Sequence, residues 1–285
     1  MGISIENYTV RKLLGEEDGL LAIKNAGFDA VDYSFYWSEE FGLLDDDYLD
    51  KAAKVRKYIE KINLKCNQSH APFGFRHQME MNDSCKEYLE IKRAIQAAGV
   101  IGAKCIVVHP VNNGRCDLSP FVELNERFFK SLEETAQNSG VKIAVENMFL
   151  KDSRSGCHRS IFGNPEQLSD FITKRLGTEN FCACVDLGHA SLVGYEPFEF
   201  VDYMTEGVIG ALHIQDTNYT SDLHVPPFHG SFNWDKVCES LKNKGFTGDV
   251  NFEVTHYLSK FPSELICDVL VFMAKIARHI EAKMN

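Results

Sequence analysis

Short apolar runs recur along the chain at intervals of mostly about 40 residues, and the stretches between them carry apolar positions at helical spacing. The runs begin near residues 2, 28, 64, 104, 141, 181, 209 and 249. Gly2–Glu6, Phe28–Tyr33 and Leu64–His70 predict the first three strands. Cys105–His109, Lys142–Glu146, Phe181–Asp186, Gly210–His213 and Asp249–Glu253 predict the other five. A helix is expected up to Asn25, closed by Gly27, and a charged one over 45–62. Tyr88, Ile91, Ile95 and Ala98 share one helical face that ends at Gly99 and Gly102; Phe121, Leu124, Phe128, Leu132 and Ala136 trace another, stopped by Gly140. Asn164-Pro165 opens a helix through a cap and a proline at its first position. Glu196–Met204 and Trp234–Lys244 predict shorter helices, and Pro262 opens a long terminal one. Residues 151–159 and 217–231 are expected as loops. Strands alternating with helices, with no shift of composition, predict an α/β fold: a (β/α)8 TIM barrel forming a single domain over residues 1–285.

The ends of these runs carry the chemistry. Six of them stop on a side chain that can bind a metal or move a proton: His70, His109, Glu146, Asp186, His213 and Glu253. Taken alone, Asp186 is equally the N-cap of a following helix. Repetition at successive strand ends is what a barrel would use to converge side chains on one site. Glu146, Asp186, His213 and Glu253 are therefore the expected metal ligands. Three carboxylates with one imidazole suit Mn²⁺, Co²⁺ or Mg²⁺, with Zn²⁺ also compatible.

Composition narrows the partners. The 285 residues hold 30 Lys and Arg against 41 Asp and Glu, a formal net charge of -11. That field disfavours nucleic acid and anionic membranes. Not one Lys or Arg lies between Leu176 and Asp235, which weakens a phosphate-bearing substrate as well. Arg76, Arg115, Arg154 and Arg159 are the bases left for the mouth. Nine scattered cysteines without a CxxC pair, several inside strands, suit a reducing cytoplasm. No signal peptide or membrane-length apolar run is expected. Aromatic residues expected near the mouth are Phe35, Tyr36, Trp37, Phe73, Phe75, Phe149, Phe228 and Trp234.

Several motifs resemble the xylose-isomerase-like TIM-barrel superfamily, which contains sugar isomerases, epimerases and endonuclease IV. They are SHAP at Ser69–Pro72, VVHP at Val107–Pro110, VEN at Val145–Asn147 and VDLGHA at Val185–Ala190, then LHIQD at Leu212–Asp216, DLHVPPFHGSFNW at Asp222–Trp234 and FEV at Phe252–Val254. The resemblance implies one divalent ion on Glu146, Asp186, His213 and Glu253, proton transfer by Glu146 and Glu253, and substrate contact by His189. His70, His109, Asp222 and His224 join His189 as expected substrate-binding residues. Ketose 3-epimerases carry an arginine shortly after the strand-seven histidine, where this chain has Gln215-Asp-Thr-Asn-Tyr.

The expected reaction is proton transfer next to the carbonyl of a sugar or polyol-derived substrate, with the metal as template and Lewis acid. Loss of a β-hydroxyl from the same enediolate would make the enzyme a dehydratase. The resemblance to endonuclease IV implies a different alternative, up to three Zn²⁺ on His70, His109, Glu146, Asp186, His189, His213, Asp222, His224 and Glu253. A barrel that binds a sugar without catalysis is a third reading, and a homo-oligomer is compatible with the sequence.

Overall fold

The computed structural model describes residues 1–76, 78–111, 119–152 and 156–285, so Arg115 and Arg154 lie outside the described residues. Eight parallel strands ring a barrel: β1 (Ile3–Glu6), β2 (Ala30–Ser34), β3 (Lys65–His70), β4 (Cys105–Val108), β5 (Lys142–Glu146), β6 (Phe181–Asp186), β7 (Ile209–His213) and β8 (Val250–Phe252). Each pairs with its sequence neighbour, and β8 returns to β1. The ring closes between β7 and β8 through backbone bonds just past the strand end: Ile214 N–H donates to Asn251 O (2.9 Å) and Glu253 N–H to Ile214 O (3.1 Å). Every strand is where the alternation of runs predicts it, and His109 and Glu253 each stand one residue beyond their strand.

Helices pack their apolar stripes on the outside of the ring. Helix Tyr48–Lys61 buries Ala52, Val55 and Ile59, and the C-terminal helix Ile266–Met284 buries Leu270, Met273, Ala277 and Ile280. The spacing of three or four residues puts each set on one face. Burying one such Leu or Ile side chain contributes about 2 kcal/mol. Four departures from expectation have local causes. The first helix is two, Tyr8–Leu14 and Glu16–Ala26, broken at Gly15, where φ is 87°. Gly99 does not end its helix, which runs on to Ile101; a Cβ at Gly99 would lie 2.4 Å from Ser139 O, so this glycine permits close packing rather than termination. The C-terminal helix starts at Ile266, after a 3₁₀ turn at Ser263–Leu265. Finally, Phe149–Asp152 and Gly156–Arg159 form an antiparallel ribbon in the segment expected as a loop.

The barrel lumen has two characters. On one side it is lined by small or apolar groups: Cys105, Val107, Ala144, Cys182, Cys184 and Ala211. On the other, polar side chains satisfy one another. Ser4 donates to Asn251 (2.7 Å), while Gln68 and Asn251 donate to Asp32 Oδ2 at 2.7 and 3.0 Å. A register shift between β2 and β3 places Gln68 opposite Asp32. The described cysteines are free thiols, and burial pushes Cys66 up to about 12, so it behaves as a small core residue. Among the described residues no helix is long and apolar enough to cross a membrane.

Candidate active site and metal centre

The strand ends meet at the C-terminal mouth. The β6–β7 register sets Asp186 beside His213, and closure of the ring brings Glu253 to the same point. Glu146, Asp186, His213 and Glu253 are all buried, and one candidate ligand atom from each lies within 4.8 Å of the others. His213 Nδ1 stands 3.0 Å from Glu146 Oε1, 3.4 Å from Glu253 Oε2 and 3.9 Å from Asp186 Oδ2. Its other nitrogen points down the lumen, 3.6 Å from Asp32 Oδ2. Asp32 lies behind His213 on that side, at a distance beyond a hydrogen bond. It escaped the sequence reading because it lies inside β2, away from the mouth.

Backbone carbonyls orient two of the remaining histidines. His70 Nδ1–H donates to Ala71 O (2.7 Å), so Nε2 carries the lone pair and faces Glu146 Oε2 at 3.6 Å. His189 Nδ1–H donates to Asn147 O (2.9 Å), which turns Nε2 towards Asp186 and Asp222 at 3.9 and 4.0 Å. His109 Nε2 is 2.8 Å from Glu146 Oε2, and His224 Nε2 is 3.0 Å from Asp222 Oδ2. Three further groups are close enough to hold a cation: His70, His109 and Glu146; His189, Asp222 and His224; and His70, His213 and Glu253, which shares two members with the central four. Glu146 belongs to both the first of these and the central four.

Local structure explains why these side chains are so placed. Asp186 ends β6 and also caps the short helix Leu187–Leu192, its Oδ1 accepting from His189 N–H at 2.7 Å. Capping and convergence on the site are both present, because a carboxylate has two oxygens. Asn147 ties β5 to β6 by exchanging bonds with the Asp186 backbone (2.7 and 2.9 Å). Gln215 donates to Asp186 Oδ2 and Asp222 Oδ1, each at 3.0 Å, and accepts from His224 N–H at 3.0 Å. A Cβ at residue 188 would meet the Gln215 side chain at 2.5 Å, so the LGH turn needs its glycine for close approach.

The centre attracts positive charge. Burial alone would raise Glu146, but His213 and His109 beside it hold it well below the usual carboxylate range. At Glu253 burial is likewise outweighed by His213 and His224, and the group falls to about 2. Burial pushes Asp186 up to about 7. His224 rises to about 10 because Glu253 and Asp222 overcome its desolvation, and His189 rises to about 8 beside Asp186 and Glu146. Protons on these imidazoles answer the same excess of negative charge that a cation would. Glu253 Oε2 and His224 Nδ1 are buried without a hydrogen-bond partner among the described residues, and Glu146 Oε2 meets His109 Nε2 at 2.8 Å without the geometry of a hydrogen bond. Orphaned oxygens in a ring of carboxylates and imidazole fit a hard or borderline divalent ion.

Above this floor opens a cavity of about 430 Å³. Tyr8, Tyr36, Trp37, Phe73, Met148 and Phe149 form most of its walls, and no Lys or Arg is among its described lining residues. Arg76 and Arg159 lie outside it; Arg159 stacks over Tyr195 at 4.9 Å. The other aromatics expected at the mouth belong elsewhere. Phe35 packs on Phe41 in the core, Phe75 stacks on Phe128, and Phe228 sits against Trp234 and His279. His256 also lines the cavity, next to His224.

Fold and site together define a (β/α)8 barrel with a clustered carboxylate–imidazole centre at its C-terminal mouth. The chain belongs to the xylose isomerase-like TIM barrel family, whose model matches residues 20–269. An uncharacterised protein of Methanocaldococcus jannaschii is 30% identical over 192 residues; the match spans 65% of this chain and 62% of that protein. An uncharacterised protein of Mycobacterium tuberculosis is 25% identical over 245 residues, covering 81% of this chain and 83% of its own length. Among solved structures, a D-tagatose 3-epimerase-like protein superposes with a TM-score of 0.69 at 21% identity over the whole of both chains. The IolI protein with a binding zinc atom gives 0.76 at 18% identity, covering 100% of this chain and 99% of its own. L-Ribulose 3-epimerase gives 0.71 at 16%, covering 99% and 94%. At such identities the likeness to these structures shows the fold.

Proposed function

We propose that this protein is a divalent-metal-dependent isomerase or epimerase that moves a proton next to the carbonyl of an unphosphorylated sugar or polyol-derived substrate. The observation that carries the reading is the pair of glutamates flanking His213 Nδ1, Oε1 of Glu146 at 3.0 Å and Oε2 of Glu253 at 3.4 Å, on the floor of the aromatic cavity. Epimerases among the structural neighbours support it. Glu146, Asp186, His213 and Glu253 would hold the ion, which when bound supplies Lewis-acid polarisation of adjacent substrate oxygens. One glutamate removes the proton on carbon, leaving an enediolate. The other returns a proton from the opposite face and inverts the centre, or to the neighbouring carbon and moves the carbonyl. The aromatic walls would stack on the apolar face of the ring or chain and exclude water.

The test is incubation of metal-loaded protein in D₂O with ketoses, aldoses and keto-inositols, followed by NMR. Deuterium should enter the carbon beside the carbonyl of at least one substrate. No exchange across the panel would sink the reading. The ligand assignment has its own check. Asp186→Asn or His213→Ala should lower metal occupancy, read by elemental analysis, while circular dichroism stays near wild type; unchanged occupancy in both would show the set to be wrong.

The groups of His70, His109 and Glu146 and of His189, Asp222 and His224 favour a second reading, a multi-zinc phosphodiesterase. The charge of -11 and a cavity without a described Lys or Arg argue against a polyanionic substrate. The expected result is no specific incision of abasic duplex DNA at nanomolar protein and about one ion per chain. Three ions per chain with salt-sensitive incision would exchange the two readings.

A further inference from the structure

The two glutamates of the centre are not equivalent. Among the described residues Glu146 is flanked by imidazoles, with His213 at Oε1 and His109 at Oε2. Glu253 has a hydroxyl: Tyr36 Oη donates to its Oε1 at 2.6 Å. Its Oε2 has no donor among the described residues and turns towards His213 Nδ1 and His224 Nδ1, at 3.4 and 3.6 Å. The phenol therefore separates the two oxygens, one tied on the cavity side and one free on the ligand side.

Tyr36 is braced for this task. It follows β2 by two residues, and its N–H meets Ser34 Oγ at 3.3 Å. Its ring stands edge-on to His70 at 4.7 Å, with Phe73 at 5.2 Å and Tyr8 at 5.8 Å. A ring fixed from three sides presents its hydroxyl from one direction, and the carboxylate must rotate to meet it. With Oε1 held by the phenol on the cavity side, Oε2 is the oxygen Glu253 turns towards the other candidate ligands, while Oε1 stays beside the substrate cavity that Tyr36 itself lines.

We infer that Tyr36 is a positioning residue that makes Glu253 a one-oxygen ligand and keeps its second oxygen as the proton-transfer atom. The inference rests on the proposed roles of Glu253 as ligand and base. Tyr36→Phe keeps the ring and its packing and removes only the hydroxyl. Both oxygens of Glu253 can then turn to the ion, and the base is lost to coordination.

The test uses the full chain loaded with Co²⁺, whose visible spectrum reports coordination number, at metal content matched by elemental analysis. Tyr36→Phe should shift the Co²⁺ bands and lower their intensity, as a higher coordination number does. For a substrate that wild type exchanges, kcat should fall by roughly 10- to 100-fold, the usual cost of losing an outer-sphere partner, with KM changed by less than about 3-fold. Adding Tyr36→Phe to Glu253→Gln should cost nothing further, since both act through one atom. A Co²⁺ spectrum superimposable on wild type would overturn the inference, as would an unchanged kcat. Should the Phe variant melt early, Tyr36→Met, apolar and without the hydroxyl, is read by the same spectrum. If wild type exchanges no substrate, the proposed function fails, whereas the Co²⁺ spectra still decide the role of Tyr36.

Discussion

Changing Glu146 to glutamine should reduce deuterium exchange into substrate by on the order of 10²-fold or more, and Glu253→Gln should do the same. The amide keeps the shape of the side chain and one oxygen but cannot take a proton at neutral pH. The loss falls in the transition state, so turnover should drop far more than substrate affinity. Each variant removes one of the four proposed ligands, so metal content should fall in both. Rates measured by NMR on samples of known metal content separate the two causes. Full-rate exchange by either variant would remove that glutamate from the mechanism.

Replacing Asp216 by alanine should lower the thermal midpoint by about 10 °C, with a loss of about 3–5 kcal/mol in stability. This carboxylate is fully buried just past β7. Its Oδ1 accepts N–H bonds from Thr217, Ser231 and Phe232 at 2.9, 2.9 and 3.2 Å. Its Oδ2 accepts from Phe228 N–H at 3.1 Å and from the Trp234 indole at 2.8 Å. Alanine would leave the Thr217, Phe228, Phe232 and Trp234 donors without this acceptor, while Ser231 N–H keeps Thr217 O at 2.9 Å. The loop pinned by these bonds carries Asp222 and His224, which line the cavity, so the variant should also bind substrate less well. A melting curve within about 2 °C of wild type would show that the loop is held by its apolar contacts instead.

The barrel is legible in the sequence because each strand is a compact apolar run bounded by a polar end, and a buried parallel strand needs little else. Glu146, Asp186, His213 and Glu253 are legible because they interrupt that pattern at the same place each time. The residues that hold them are not. Asp32 and Gln68 sit within strands and resemble any buried polar pair until the barrel closes and His213 lies overhead. Gln215 and Asp216 stand in the LHIQD motif, yet their bonds run to residues up to 29 positions away. Tyr36 is one of three consecutive aromatics, Phe35-Tyr-Trp37; only the direction of the chain after β2 sends the middle one to Glu253 and the first into the core. The ribbon of Phe149–Arg159 is missed for another reason. It has polar residues on both faces and no apolar alternation to signal a strand.

Asp186 joins two constraints that substitution can separate. Asparagine retains an oxygen for the His189 amide but has no charge to give the centre. Glutamate retains the charge but, one carbon longer, displaces the acceptor that starts the Leu187–Leu192 helix. Of the common acidic and amide side chains, only aspartate meets both requirements. Position 186 therefore has almost no neutral neighbours in sequence space. A descendant without the proposed metal could still be held to aspartate or asparagine there by the helix alone, and such a residue would mark ancestry rather than activity.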